Sequence, residues 1–222
     1  MAAASQNISK FVQWGRKVVC VGRNYRDHCA ELGNAVPTKP MLFMKPASSY
    51  LEEDSGPIVV PLGCKDLHHE VELGLVIGSQ CKDIKEEDVM SSIAGYALTL
   101  DLTARDFQEE AKKKGHPWEM AKCFDTALPV SRFLSKEDIS DPQNISLWCK
   151  VNGEITQNGN TSDMVFNIPH LVSYISRYFT LQPGDLVLTG TPAGVGPIKE
   201  GDIISAGLGD KITMKFNVQH RS

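Results

Sequence analysis

The stretch His68-His69-Glu70-Val71-Glu72-Leu73-Gly74-Leu75-Val76-Ile77-Gly78 places two carboxylates inside an apolar run. Its alternation reads as a β-strand, in which residues i and i+2 share a face. Glu70 and Glu72 then project side by side, along with His68 and Gly74, while Val71, Leu73 and Leu75 take the other face. Two ionised carboxylates on a desolvated face repel each other and lose hydration. Either that face is wet, as on an edge strand, or a divalent cation relieves both costs. Asp101 bears on the choice, because it closes the apolar run Ile93–Leu100 about 30 residues further on. Binding groups often sit at strand ends. Three hard oxygen donors without a thiolate suit Mg²⁺, or Mn²⁺, better than zinc.

Outward from this strand the chain is rich in short apolar runs. Val18–Gly22, Met41–Lys45 and Ile58–Pro61 read as strands, and Ile93–Thr103 as one long strand. Asn152-Gly153 between Ser146–Val151 and Glu154–Gln157 signals a hairpin, since a type I′ turn needs φ > 0 at both central residues. Asp185–Gly190, Ile203–Ala206 and Lys211–Val218 complete the strands. Helices are expected at Asn24–Leu32, stopped by Gly33, at Lys85–Met90, at Arg105–Lys114, closed by Gly115, and at Ile168–Phe179 with Pro169 in its first turn. No βαβα rhythm appears, which argues against Rossmann and TIM architectures. The expected class is α+β, with a mixed, mostly antiparallel sheet folded on itself and a few peripheral helices.

At 222 residues the chain fits one domain. We assign residues 16–222 to it and 1–15 to an N-terminal segment. Met1 to Tyr25 contains no Asp or Glu but carries Lys10, Arg16, Lys17 and Arg23. That composition resembles a weak mitochondrial presequence, the alternative being a plain terminus leading into the first strand. The expected location is the mitochondrial matrix, with a cytosolic pool as the second expectation. A net charge of −4 argues against nucleic acid as a partner. No apolar run reaches the roughly 18–20 residues of a membrane helix. The cysteines 20, 29, 64, 81, 123 and 149 form no CxxC pair, so free, mostly buried thiols are expected.

Several further motifs follow in order: Val21-Gly22-Arg23-Asn24-Tyr25 with His28 and Glu31, Leu42-Phe43-Met44-Lys45-Pro46, Asp101-Leu102-Thr103-Ala104-Arg105-Asp106, Lys122, Val151-Asn152-Gly153-Glu154, and Thr189-Gly190-Thr191-Pro192-Ala193-Gly194-Val195-Gly196. With His69-Glu70-Val71-Glu72-Leu73 they resemble the fumarylacetoacetate hydrolase superfamily over nearly the whole chain, and specifically its short, single-domain members. The resemblance implies a β-roll fold, a homodimer, and a Mg²⁺ site at Glu70, Glu72 and Asp101. It implies oxaloacetate decarboxylation and keto–enol tautomerisation, and hydrolysis of acylpyruvates. Alternatives are an isomerase or decarboxylase of diketo acids from aromatic catabolism, and a non-catalytic metal-binding protein.

A 2-keto acid can chelate one cation through its carboxylate and keto oxygens, and the Lewis acid then stabilises an enolate at C3 in all three reactions. Hydrolysis also needs a base. His28 and Glu31 share a helix face, and the family places such a pair on a lid over substrate. Without the resemblance, the pair reads as a surface contact. Lys122 is the candidate cation near the developing enolate, its ordinary reading being a solvated lysine. Arg105, Gln108 and Thr191 are candidate substrate contacts. Arg23 is a candidate for substrate or for support of the lid.

Overall fold

The computed structural model describes residues 7–221. It is a mixed, mostly antiparallel assembly of three sheets with short helices around them. The largest sheet runs in the order Met41–Lys45, Val18–Gly22, Leu186–Leu188, Val71–Ile77, Ile93–Leu100, Leu128–Val130 and Tyr50–Glu52, with Leu134–Ser135 also paired to Ile93–Leu100. A five-stranded sheet runs Glu154–Asn160, Ser146–Val151, Ile203–Leu208, Ile212–His220 and Ile58–Val60. A three-stranded sheet joins Gly196–Ile198, Leu67–His69 and Thr103–Ala104. Three strand pairs are parallel, among them Val18–Gly22 with Leu186–Leu188. The expected α+β class with few helices stands.

Two expected strands are each cut in two, and the cuts decide where the site lies. His68 pairs with Thr103 in the small sheet, whereas Val71 pairs with Leu100 in the large one. Glu70 and Asp101 occupy the gap on facing strands, tied by an Asp101 N–H donating to the Glu70 carbonyl at 2.8 Å. Both strands change sheets together there. Nor does the strand offer a wet face: every residue of Val71–Ile77 is buried. Val71, Leu73, Leu75 and Ile77 enter the main core. Val76, on the opposite face, joins a second core cluster with Val18, Cys20 and Leu186.

The hairpin forms as expected, with φ 52° at Asn152 and 88° at Gly153. The helix Arg105–Lys114 ends at Gly115 in the left-handed conformation, its amide bonded to Ala111. The helix after Arg23 is shorter than expected, Arg26–Glu31. Around 85–90 a 3₁₀ turn, Glu86–Asp88, precedes a short helix, Val89–Ser92. Residues 1–6 of the N-terminal segment lie outside the described residues. Further along it, Ile8–Lys10 and Phe11–Trp14 form helical turns, and Phe11 packs into the second core cluster. All six cysteines are free, and five are buried. Among the described residues no helix is long and apolar enough to cross a membrane.

Candidate active site

The double strand break brings Glu70, Glu72 and Asp101 together. One carboxylate oxygen from each lies within 4.8 Å of the others, and the three residues are 7%, 2% and 0% exposed. Lys122, also buried, sits among them. Its ammonium lies 2.8 Å from Asp101 Oδ2 and 3.2 Å from Glu70 Oε2. Glu70 Oε1 accepts from Arg105 Nη2 at 2.8 Å and from the Thr103 hydroxyl at 2.7 Å. Burial opposes ionisation of Glu70, but Lys122, Arg105 and the Thr103 hydrogen bond outweigh it and hold this carboxyl below the ordinary range. The Lys122 ammonium is held above its ordinary value: Asp101 and Glu70 overcome its desolvation.

Glu72 goes the other way. Burial raises its carboxyl well above the ordinary range, and the charges of Asp101 and Glu70 add to that. Its opposing hydrogen bond is the Gly190 N–H, 2.7 Å from Oε2. Gly190 can approach because it has φ +96° and no Cβ; an added Cβ would lie 2.7 Å from Asn24 Cβ. The Gly190 amide is thereby committed to Glu72.

Asp101 supplies the test of whether a cation fits. Lys45, almost fully buried, approaches Asp101 Oδ1 to 2.8 Å. An ammonium has three protons. Those of Lys45 are taken by the carbonyls of Leu102, Lys122 and Ala127 at 3.0, 2.6 and 3.0 Å. Asp101 Oδ1 is therefore a buried carboxylate oxygen with no hydrogen-bond donor. An undonated oxygen on Asp101 and a carboxyl at Glu72 that resists bare ionisation both suit a hard divalent cation.

His28, buried in the cavity wall, has Nδ1 3.2 Å from Glu31 Oε2. Both oxygens of the Glu31 carboxylate also accept the Gly194 N–H, Oε1 at 3.1 Å and Oε2 at 3.2 Å. A carboxylate accepts, so Nδ1 is the donor and Nε2 is the basic nitrogen of the neutral ring.

One cavity gathers most of the residues singled out in the sequence. Arg23, His28, Glu70, Glu72, Arg105, Gln108, Lys122 and Thr191 all line it. Asp101 and Glu31 are not part of that lining and contact it through Lys122 and His28. Gln108 is buried, and its Oε1 accepts from Arg105 Nη1 at 2.9 Å and Lys112 Nζ at 3.1 Å. The Thr191 hydroxyl donates to the Val71 carbonyl and accepts from Gln157, which ties it to the strand between Glu70 and Glu72.

Sequence reasoning passed over several neighbours. Lys45 lay in a quoted motif without a role; Phe43, two residues earlier on the same strand, lies 4.7 Å beneath the Lys122 ammonium. Lys112 and Trp118 line the same cavity, with the lysine 5.4 Å over the indole. Gln157, fully buried, accepts the Val71 N–H at 3.0 Å and meets His69 Nδ1 at 3.0 Å. Its amide donates to Thr191 Oγ1 at 2.8 Å and the Pro192 carbonyl at 2.9 Å. No local pattern marks it, because Gln157 is the one buried residue of the strand Glu154–Asn160.

Gathering three carboxylates out of water makes chemical sense in an enzyme that works through a hard cation, and fold and site together point to that class. The chain belongs to the fumarylacetoacetate hydrolase family: the family described as fumarylacetoacetate (FAA) hydrolase, C-terminal, matches residues 17–219. It is 52% identical over 217 residues to the Homo sapiens protein named oxaloacetate tautomerase FAHD1, mitochondrial, covering 98% of each chain. It is 50% identical over 212 residues to the Dictyostelium discoideum oxaloacetate decarboxylase, mitochondrial, covering 95% of this chain and 97% of the relative. Among solved structures, fumarylpyruvate hydrolase from Pseudomonas aeruginosa, in complex with Mn²⁺ and pyruvate, superposes with a TM-score of 0.88 at 33% identity. That match covers 93% of this chain and 90% of the other.

Proposed function

We propose that this protein is a Mg²⁺-dependent enzyme of small 2-keto acids, able to use Mn²⁺, that tautomerises and decarboxylates oxaloacetate and hydrolyses acylpyruvates to pyruvate and a carboxylic acid. The observation that carries the reading is the buried trio Glu70, Glu72 and Asp101 at a cavity that also presents His28, Arg105 and Lys122. The names of the similar proteins support the substrate class.

Glu70, Glu72 and Asp101 would hold the cation, which supplies Lewis-acid polarisation of a keto carbonyl when bound. The protein's own groups do the rest. Lys122 places a positive charge where negative charge develops on substrate oxygen. Arg105, already ordered by Glu70 and Gln108, offers its guanidinium to a carboxylate. His28 takes a proton at Nε2 while Glu31 orients the ring and stabilises the imidazolium. That proton comes from water in hydrolysis. The Gly194 amide keeps Glu31 in place.

We also infer a homodimer and a location in the mitochondrial matrix. The exposed Met44 and Met120 support a partner surface, and the mitochondrial names of the relatives support the location. The deciding experiment is a turnover panel of oxaloacetate, acetylpyruvate and fumarylpyruvate, with Mg²⁺, with Mn²⁺ and with excess EDTA. Metal-dependent turnover is expected, lost in Glu70→Ala; His28→Ala should keep the metal and lose hydrolysis. Full acetylpyruvate hydrolysis in EDTA would sink the metal-dependent reading.

A further inference from the structure

We propose that Arg23 and Lys112 form a subsite for a second carboxylate, so that the cavity favours 2-keto acids ending in a carboxylate over those ending in a methyl group. The inference rests on the 2-keto acid reading above and adds the chemistry of the far end of the substrate.

Four cations line the cavity: Arg23, Arg105, Lys112 and Lys122. Two are already matched by protein carboxylates, Lys122 by Asp101 and Glu70, and Arg105 by Glu70. Among the described residues no carboxylate lies within 4 Å of Arg23 or Lys112. The polar contact of Lys112 is Gln108 Oε1 at 3.1 Å, and its ammonium sits 5.4 Å over the Trp118 ring. It differs in this from Lys114 on the same helix, which pairs with Glu110 outside the cavity.

Gathering these cations has a cost. Desolvation lowers the pKa of Lys112, repulsion from Arg105 and Arg23 lowers it further, and Glu109 offsets this only in part. Arg23 reaches the cavity from a backbone at φ 60°, a conformation uncommon for a residue other than glycine. Strain and unmatched charge in one place mark a site that an anion completes.

The geometry orders the cavity from end to end. The carboxylate trio and Arg105 form the head, where the keto acid group is expected. Gln108 Oε1 bridges Arg105 to Lys112 and so spaces head from tail. Phe43 and Trp118, with ring centroids 6.1 Å apart, supply apolar wall between them. A short carbon chain fits against those rings with its terminal carboxylate toward Lys112 and Arg23.

The test uses 2-oxoglutarate and 2-oxopentanoate, which share the keto acid head and chain length and differ in the terminal group. Each is titrated into the Mn²⁺-loaded protein by calorimetry, with the change in intrinsic tryptophan fluorescence as a second readout. The wild type should bind 2-oxoglutarate about tenfold more tightly, the effect of one charge-assisted contact. Lys112→Met and Arg23→Met should each bring the ratio to within about twofold of unity. Lys113→Met, which alters the same net charge outside the cavity, should keep the preference. A preference that survives Lys112→Met, or that vanishes equally in Lys113→Met, overturns the subsite. Equal binding of both acids by the wild type overturns the subsite and leaves the keto acid reading standing. Failure of both acids to bind overturns both.

Discussion

Glu72 shows how one side chain sets a condition on the whole site. Its carboxyl is raised in the folded protein by burial and then by Asp101 and Glu70. A raised folded-state value leaves stability intact at low pH. The stability is lost as pH climbs above the unfolded value, about 4.3, toward the folded one. Glu70 is the opposite case, held low by Lys122 and Arg105 against its burial, so its contribution is lost as pH falls below the ordinary range. Metal-free protein should therefore lose stability from Glu72 between weakly acidic and neutral pH. We expect Glu72→Gln in EDTA to melt several degrees above wild type at pH 7.5, with the gap closing toward pH 4. In Mn²⁺ the order should reverse, because the variant loses a ligand. Scanning calorimetry across pH, with and without Mn²⁺, checks both signs. An unchanged difference at all pH values would mean that Glu72 does not resist ionisation. At this scale the carboxylates were legible because charge inside an apolar strand is conspicuous. Lys45 was not, since a lone lysine in a half-apolar run reads as exposed. Its three carbonyl partners come from residues 102, 122 and 127, which no local pattern announces.

The decisive element is the paired strand break at Glu70 and Asp101. Hydrophobic periodicity runs straight through both breaks, so the sequence reads as two long strands. A ladder that changes partners leaves no mark on side-chain alternation, because residues on either side remain extended and buried. Gln157 holds the first break in register by accepting the Val71 N–H, and it donates to the 191–192 loop. Gln157→Leu leaves the Val71 amide without an acceptor. It should cost roughly 3 kcal/mol of stability in urea denaturation and weaken Mn²⁺ binding about tenfold or more. Loss of stability with unchanged Mn²⁺ affinity would reduce Gln157 to a core residue. Gly194 acts further along the same loop. It has φ +94°, and a Cβ there would collide with the Thr156 carbonyl. Gly194→Ala must shift the amide that Glu31 accepts. Acetylpyruvate hydrolysis should fall about tenfold or more, while Mn²⁺ affinity stays near wild type. Equal losses in both would indicate a general collapse of the loop.

Across the whole molecule, the class of fold was legible and the topology was not. Short strands, a hairpin signal and scattered helices suffice for α+β. Pairings such as Val18 with Leu186 join residues 168 apart, and only the closed core selects them. The site inherits that long reach. Glu70 and Glu72 lie in one segment, Asp101 and Lys122 in the next two, and Gly190 and Gly194 near the C-terminus. A cation at the carboxylate trio would therefore tie the large sheet to the paired break where both strands pass into the small sheet. The unfolded chain brings no such oxygens together, so a metal that binds the folded state alone stabilises it by RT ln(1 + [L]/Kd). At a hundredfold excess over Kd this is about 2.7 kcal/mol. At roughly 2–4 °C per kcal/mol for a domain of this size, Mn²⁺ or Mg²⁺ should raise Tm by about 5–11 °C. Glu70→Ala should show no metal-dependent rise. Lys113→Met, remote from the trio, should show the full one. Differential scanning fluorimetry across a metal titration reads the shift directly. A wild-type Tm that ignores both metals, at concentrations that support turnover, would place the catalytic cation somewhere other than Glu70, Glu72 and Asp101.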